Sequence, residues 1–449
     1  MASVLNVRYL SWQNLKESRT RFDWNAVAAN KVSDMSKERI TRLPIDWYNM
    51  DSKNYWRNQD TFVSVDEIAK VVELAVNDWN QVLSTSKRTK YLIFMPWEQY
   101  NNQIVGFKSA CAIAKMLGRT LVLPHLGYKN PNQSLSRPFS DTDFVPSEFI
   151  WHPFEHYYDL THLSKHLPCS FTTFDNFHSL NDGQTLRRVR YHHLGDKKTS
   201  ERQLRDYYQN IARLQFNSIE YDMSAYFHLS AAEIMDLHAD DDTQVLALGS
   251  LFWYYNFGIL PPVKYPATEY RDYMHVEIYR RVTDSLVFVD RVQQRAAHAL
   301  DGIVGVVAGN GFVAVHIRRG DYKEKCDELP IGLLERCATT LPYIRNYLKY
   351  KFPNTIQRNF LYISTNANKS EVSEIAAELG QDWGRVFFQN DLEDVRNASF
   401  LESWNSDGIE SCMFDQLICA KAAYFIGNMY SSFTRHIIDI RGVSNSLLF

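Results

Sequence analysis

The stretch FVAVHIRRGD, residues 312–321, constrains the fold of this chain more than any other. Its apolar start, Phe312–Val315, is typical of a buried strand in a parallel sheet, because such a strand is covered on both faces. Open α/β sheets bind their ligands in the crevice beyond the carboxyl ends of the strands. The polar side chains that end this strand are therefore predicted to meet a ligand, and they are His316, Arg318, Arg319 and Asp321.

The chemistry of these side chains indicates an anionic ligand. Two adjacent guanidinium groups, Arg318 and Arg319, are costly at a strand end unless an anion meets them. A guanidinium fork also fits two phosphate oxygens at once. The stretch therefore predicts a site for a phosphorylated ligand such as a nucleotide.

A second phosphate-binding element is predicted in YFIGNMYSSFTR, residues 424–435. A strand is predicted to end at Gly427, and a helix to open over Ser431–Thr434. A helix N-terminus presents unpaired N–H groups and a partial positive charge, and the hydroxyl groups add donors. An ordinary helix cap is the alternative, but the Arg318 strand in the same sheet favours phosphate binding.

Two acidic residues are further candidates. Asp415 lies within the apolar pattern of a predicted helix, residues 409–422, where a carboxylate either pairs with a structural partner or accepts from a ligand such as guanine. Glu98 lies in the loop PWEQYNNQ, residues 96–103, whose amides suit a hydroxyl-rich ligand. It is a candidate general base on an acceptor hydroxyl, and a plain polar loop is the alternative.

Length, charge and missing motifs exclude several classes of protein. A chain of 449 residues is too long for one ordinary core, so two α/β domains are expected. A net charge of −3 provides no general basic field for nucleic acid or membrane. There is no Gly-rich dinucleotide fingerprint, no phosphate-binding P-loop and no clear metal-binding D-x-D. Two arginines and a helix N-terminus can neutralise a diphosphate, so no metal or other cofactor is predicted.

The compartment is predicted from glycosylation sequons and from the N-terminus. Met1–Asn14 lacks the apolar core of a signal peptide, so the chain is either cytosolic or a lumenal segment without its leader or anchor. Sequons at Asn132, Asn368 and Asn397 favour the lumen of the endoplasmic reticulum or Golgi. No run of about 18 apolar residues is present, so no direct membrane contact is predicted.

The cysteines allow one disulfide prediction. Cys326 and Cys337 flank a short segment after the arginines and can pair in an oxidising compartment. Cys111 lies on an apolar helix face and is interpreted as a buried small hydrophobic residue.

Hydrophobic periodicity divides the chain into an N-terminal extension, residues 1–88, and two α/β domains, residues 89–300 and 301–449. The first domain opens with strand 91–95, helix 104–117 and strand 120–123. A strand is predicted within 244–252 and one long helix over 270–300. The second domain alternates strands 312–316, 360–364, 386–388 and 424–427 with helices 342–350, 369–379, 409–422 and 432–441.

These motifs resemble those of the GDP-fucose-dependent fucosyltransferases, and most closely the protein O-fucosyltransferase group. The run from His316 to Asp321 is similar to the family motif H-[LVI]-R-x-x-D, and residues 425–434 resemble its FIG-x-x-x-SSF motif. Tyr100–Gln103 resembles the F-x-N-Q loop, although the Gly-rich form is absent here. Pro153–Leu160 is similar to an acceptor-side segment, and the resemblance covers roughly residues 88–449 with gaps at 180–300.

The resemblance implies an α/β GT-B glycosyltransferase with two Rossmann-like domains facing across a cleft. It implies inverting, metal-independent transfer of fucose from GDP-β-L-fucose to an acceptor hydroxyl, most simply Ser or Thr of a protein. A glycan acceptor (α1,6-type transfer) and a catalytically silent nucleotide-sugar-binding protein are the alternatives. The implied catalytic residues are Arg318 and Glu98. The implied donor-binding residues are Asn102, His316, Arg318, Arg319, Asp321, Asp415, Ser431, Ser432, Phe433 and Thr434.

Overall fold

The structure, a computed structural model, describes most of the chain from residue 89 onward. The described residues are 89–130, 144–180, 189–192, 202–214, 219–222, 238, 243–251, 270–307, 311–319, 340–353, 360–394, 407–428, 431–441 and 446–448. The predicted extension 1–88 lies outside them, and so do Asn132, Asp321, Cys326, Cys337 and Asn397.

The described strands and helices follow one another in α/β alternation. The strands are β1 (Tyr91–Phe94), β2 (Thr120–Val122), β3 (Leu126–Lys129), β4 (Phe149–His152), β5 (Phe171–Thr172), β6 (Val189–His192), β7 (Ile219–Asp222), β8 (Val245–Leu248), β9 (Val313–Ile317), β10 (Phe360–Thr365), β11 (Arg385–Phe387), β12 (Tyr424–Gly427) and β13 (Ser446–Leu448). The α-helices are α1 (Tyr100–Met116), α2 (Leu160–His166), α3 (Phe174–Leu180), α4 (Tyr270–Ser285), α5 (Asp290–Val307), α6 (Leu341–Lys351), α7 (Lys369–Gly380), α8 (Gln389–Asp394), α9 (Gly408–Lys421) and α10 (Ser432–Arg441).

The described residues form two compact units. The first comprises those up to 127, those in 144–154 and those in 160–286, and the second comprises 128–130, 155–159 and those from 287 onward. Helix α5 crosses residue 300, where the sequence predicts a domain boundary. That boundary and the one at residue 88 stay predictions.

The first unit contains a parallel sheet in the order β5-β2-β1-β8-β6-β7. The central strands β1 and β8 read YLIF and VLAL, and every one of their residues is buried. Such continuous apolar strands are expected where helices cover both faces of a sheet. Helix α1 is buried along most of its length, and α4 packs against it.

The second unit contains a parallel sheet in the order β11-β10-β9-β12-β13. Its middle strand, β9, sends alternate side chains into two cores. Ala314 packs with residues of α5, α9 and α10, whereas Val315 and Ile317 pack with residues of α6 and α7. This doubly covered middle strand is the one that the sequence predicts, and its carboxyl end carries His316 and Arg318.

Most elements of the second unit were predictable because their ends are marked locally. Strand β12 and helix α10 have the predicted bounds. Asn368 begins α7 with a capping box, in which its side chain accepts from the Glu371 N–H and the Glu371 side chain accepts from the Asn368 N–H. Asp407 caps α9 by accepting from the N–H groups of Ile409 and Glu410.

Two helix predictions need correction. Helix α1 begins at Tyr100 rather than at residue 104, because the polar side chains of Asn102 and Gln103 hydrogen-bond to Glu98, just before the helix, and to Gly127. The helix predicted over 270–300 is two helices, because the chain between them is extended. There Phe288 forms an antiparallel bridge with Tyr158.

The interpretation of Cys111 as a simple apolar residue is wrong. Its thiol is joined to Cys169, which lies just before β5, in a disulfide whose Cα atoms are 5.7 Å apart. Apolar periodicity places Cys111 on a buried helix face, but the residue opposite that face comes from 58 positions away and has no local signal. The predicted Cys326–Cys337 pair lies outside the described residues.

We expect Cys111→Ala and Cys169→Ala each to lower the free energy of unfolding by about 2–4 kcal/mol, because the unfolded chain loses a covalent loop constraint. The measurement is denaturant unfolding with and without reductant. Cys412→Ala is the matched control, since Cys412 is a partly exposed cysteine outside the disulfide. A wild-type midpoint that reductant leaves unchanged would contradict the expectation.

Candidate active site

His316 is the buried polar residue at the carboxyl end of β9. Its Nδ1 atom lies 2.8 Å from the Oγ1 atom of Thr434, in the first turn of α10. Its ring tilts against that of Phe433, with the ring centroids 4.5 Å apart. Burial, and secondarily the positive charge of Arg318, lower the pKa of His316 to about 3. The imidazole is therefore neutral at physiological pH and acts as a hydrogen-bonding group rather than as a cation.

The two arginines follow β9 and are partly exposed. Arg318 lies near enough to His316 for its charge to act on the imidazole. The backbone of Arg319 is held by the side chain of Asn366, which accepts from the Arg319 N–H at 2.7 Å and donates to the Arg319 carbonyl at 2.9 Å. The Arg319 peptide is thus hydrogen-bonded in both directions. Asp321 lies outside the described residues.

The serine-rich segment forms the start of α10, as predicted. Ser431 is buried directly before the helix, and its N–H donates to the carbonyl of Asn428 at 3.1 Å. Ser432 and Phe433 are partly buried in the first turn, and Thr434 is buried. Because β12 pairs with β9, the turn after β12 and the end of β9 meet at the same edge of the sheet. The structure therefore places this helix N-terminus beside the His316 strand.

Gly427 makes this approach possible. A Cβ atom at Gly427 would lie 2.5 Å from the Thr434 Oγ1 atom, well inside ordinary contact distance. Only glycine at the end of β12 leaves room for Thr434 to reach across to His316. The glycine of the FIG-x-x-x-SSF motif is therefore required here for a steric reason.

Asp415 lies on α9 with both carboxylate oxygens engaged inside the second unit. One oxygen accepts from the Tyr362 hydroxyl, and the other accepts from Ser364 Oγ at 2.7 Å. Ser364 pairs in register with His316 across β10 and β9, so Asp415 is brought to the neighbourhood of the imidazole. The sequence left two alternatives for Asp415, a structural partner or a ligand. The structure supplies two hydroxyl partners, one on each carboxylate oxygen.

Glu98 belongs to the first unit and follows β1. It is buried and has a backbone φ of +58°, a conformation that is uncommon for residues other than glycine. Its Oε2 atom accepts from Asn102 Nδ2 at 2.7 Å. Strained backbone of this kind persists only when its surroundings hold it, and it concentrates at functional sites.

The buried side chain of Gln103 stabilises the strained turn at Glu98. Its Nε2 atom donates to the carbonyls of Glu98 and Gly127 at 2.6 and 2.7 Å, and its Oε1 atom accepts from the Gly127 N–H at 2.9 Å. The side chain is completely buried. The amide of Gln103 therefore has a structural role, because it fixes the loop that carries Glu98. The sequence motif included Gln103 in this loop but did not predict that role.

Sequence reasoning also missed the residues at the end of β10 and directly after it, which are Tyr362, Ser364, Thr365 and Asn366. The polar run Ser364–Asn366 at the end of an apolar strand was the available signal, because it marks another carboxyl strand end. Across the described ranges, no group of three or more His, Cys, Asp or Glu residues is arranged to hold a metal ion. None of the described helices has the length and apolar character needed to cross a membrane.

Comparison with solved structures identifies the fold. The chain is similar to POFUT1 in complex with GDP-fucose, with a TM-score of 0.56 and 16% sequence identity over 81% of this chain and 99% of that one. A POFUT1 complex with GDP gives a TM-score of 0.55 and 17% identity, with the same coverage of both chains. Curated protein sequences give no match. The structural likeness shows that this chain has the α/β GT-B fold of glycosyltransferases.

The sequence model of one family also matches the chain. It is described as GDP-fucose protein O-fucosyltransferase, and it matches residues 91–444. The chain belongs to the GDP-fucose protein O-fucosyltransferase family. This confirms the family resemblance that the arginine and serine motifs predict, and it makes the chain a GDP-fucose-dependent glycosyltransferase.

We expect Gly427→Ala to weaken GDP binding at least tenfold, because the new methyl group displaces Thr434 and removes the partner of His316. Calorimetric titration with GDP makes the measurement. Gly380→Ala is the matched control, since no atom lies within 4 Å of a Cβ atom there. Equal GDP affinity in the Gly427 variant and the wild type would contradict the steric role.

Proposed function

We propose that this chain transfers fucose from GDP-fucose to a Ser or Thr hydroxyl of a protein acceptor, with inversion at the fucose C1 atom and without a metal ion. The observation that carries the proposal is the convergence at the end of β9 of neutral His316, Asp415, Arg318 and the N-terminus of α10. Membership of the GDP-fucose protein O-fucosyltransferase family supports this donor and this class of acceptor.

The guanine base would be read by two groups of the second unit. Asp415 would accept from the two donors of guanine, N1–H and N2–H₂, while the hydroxyl groups of Tyr362 and Ser364 orient its carboxylate. When Thr434 donates to His316 Nδ1, the imidazole carries its proton on Nε2 and can donate to the carbonyl oxygen of guanine. A neutral histidine suits this neutral base.

The diphosphate would be bound by Arg318 and by the start of α10. As the bond between C1 of fucose and the β-phosphate oxygen breaks, negative charge grows on the departing GDP. A guanidinium placed there beforehand stabilises this charge. Ser431 and Ser432 would add hydroxyl and N–H donors at the helix N-terminus, with Phe433 and Thr434 lining the donor. Arg319, Asp321 and Asn102 are proposed as further donor-binding residues.

Glu98 is proposed as the base that accepts the proton of the acceptor hydroxyl while its oxygen bonds to C1 of fucose. Its strained backbone and its hydrogen bond from Asn102 support a role that requires a fixed carboxylate. The proton goes to Glu98 and the electron pair of the broken C1–O bond goes to GDP, so the step is balanced. No metal is needed in this scheme.

The proposed compartment is the lumen of the secretory pathway. The Cys111–Cys169 disulfide is favoured in an oxidising environment. The described sequon residue, Asn368, is exposed at the start of α7 and uses Oδ1 in the cap, which leaves its Nδ2 atom for a glycan.

The transfer assay uses GDP-fucose with panels of folded protein domains and of glycans, and mass spectrometry reads the added deoxyhexose. We expect Arg318→Ala to lower the transfer rate roughly a hundred- to a thousandfold while the protein stays folded, because a transition-state charge contact is lost. Arg280→Ala, which removes an exposed ion pair on α4, is the control.

Four outcomes would contradict parts of this proposal. Modification of glycans alone would exclude the protein acceptor, and GDP-fucose binding without transfer or hydrolysis would exclude the enzyme. Tighter binding of UDP than of GDP would exclude the guanine role of His316 and Asp415. A near-normal transfer rate in Arg318→Ala would exclude the proposed contact between Arg318 and the diphosphate.

A separate variant tests the base. We expect Glu98→Gln to lower kcat about a hundredfold or more with GDP affinity unchanged, because glutamine keeps the shape and the Asn102 hydrogen bond but cannot take a proton. Glu374→Gln, an exposed substitution on α7, is the control. Unchanged turnover in Glu98→Gln would leave Glu98 as a loop residue without a catalytic role.

A further inference from the structure

Asn366 continues the hydrogen bonding of the sheet past the point where β9 ends. The last paired residues of β10 and β9 are Thr365 and Ile317. Directly after β10 ends, the side chain of Asn366 makes the hydrogen bonds to the neighbouring chain that the strand backbone makes before it. Its Oδ1 atom accepts from the Arg319 N–H at 2.7 Å, and its Nδ2 atom donates to the Arg319 carbonyl at 2.9 Å. A side-chain amide can take both positions because it carries a donor and an acceptor.

Thr365 holds the chain on the other side of Arg318. Its Oγ1 atom donates to the Ile317 carbonyl at 2.6 Å and accepts from the Ala367 N–H at 3.1 Å. The residue before Arg318 and the residue after it are therefore both tied to the end of β10. Arg318 stands between these two attachments on a backbone that is restrained even though the ladder has ended.

We infer that Asn366 is a positioning residue for Arg318, which fixes the peptide from which the guanidinium reaches the diphosphate. The inference rests on the proposed function of Arg318. A charged group stabilises the transition state best when it is already in place, because moving Arg318 into position during the reaction would cost part of the stabilisation. The side chain of Asn366 is exposed, and it hydrogen-bonds to the backbone of Arg319.

Asn366 adds little to the fold by comparison with its neighbours. Strands β9 and β10 are already paired over five residues, from Val313 with Leu361 to Ile317 with Thr365. The hydrogen bonds of Asn366 are at the surface, where water replaces lost partners at small cost. The principal effect of removing them is therefore expected at Arg318 rather than in global stability.

The test is Asn366→Ala in the full chain, produced without N-glycosylation and with its disulfide formed. We expect GDP affinity to fall about tenfold and kcat for transfer from GDP-fucose to fall more than tenfold, with the melting temperature nearly unchanged. The matched control is Asn368→Ala, because this neighbouring asparagine caps α7 and does not contact Arg319. The control should lower the melting temperature and leave GDP affinity as in the wild type.

A double-mutant cycle separates positioning from a general structural effect. If Asn366 acts through Arg318, then Asn366→Ala added to Arg318→Ala causes no further loss of GDP affinity. If the two losses instead add, Asn366 acts elsewhere and the inference is wrong. Wild-type GDP affinity and wild-type kcat in Asn366→Ala would overturn it as well.

The same measurements distinguish a failure of this inference from a failure of the proposed function. GDP affinity that is unchanged in Arg318→Ala refutes the phosphate role itself, whatever Asn366 does. If Asn366→Ala fails to fold, Thr365→Val is used in its place, because it removes the hydrogen bond to Ile317. Thr365→Ser keeps the hydroxyl and should restore GDP affinity, and equal affinity in the two Thr365 variants would overturn the inference.

Discussion

The hydrogen bond between His316 and Thr434 is the interaction on which the rest of the candidate site depends. It joins the end of β9 to the first turn of α10 inside a buried environment, over a glycine that leaves no side chain between them. A buried polar pair must be satisfied, so the strand end and the helix N-terminus are held in one arrangement. Burial also keeps His316 neutral, so the contact holds an uncharged imidazole at this position.

A second set of contacts holds a carboxylate at this edge of the sheet. Asp415 accepts from two hydroxyl groups of β10, and the pairing of β10 with β9 places one of them, Ser364, opposite His316. The two hydroxyl groups offset part of the desolvation cost of the carboxylate. Arg318 adds positive charge beside His316. The residues before and after Arg318 are hydrogen-bonded to Thr365 and Asn366 at the end of β10. The groups that we propose to bind the base and the phosphates thus share one strand as their support.

Much of the second unit was readable from local sequence. The apolar run of β9, the caps at Asn368 and Asp407 and the strand–turn–helix of residues 424–441 all carry short-range signals, and their elements form where predicted. The first unit was less readable. Polar residues at the start of α1 looked like loop because their partners lie elsewhere in the chain, as Gly127 does for Gln103. The disulfide of Cys111 was missed for the same reason, since its partner is distant in sequence.

The sequence by itself determined the strand that ends in His316 and Arg318, the helix that opens at Ser432 and the family to which these motifs belong, because periodicity, capping and motif spacing are local properties. Only the tertiary structure decided that Asp415 is held by Tyr362 and Ser364, that Gly427 makes room for Thr434 and that Asn366 extends the sheet to Arg319. Those contacts depend on strand order and register. The physical reason is that register is set by the packing of whole sheets and helices, which no short segment encodes.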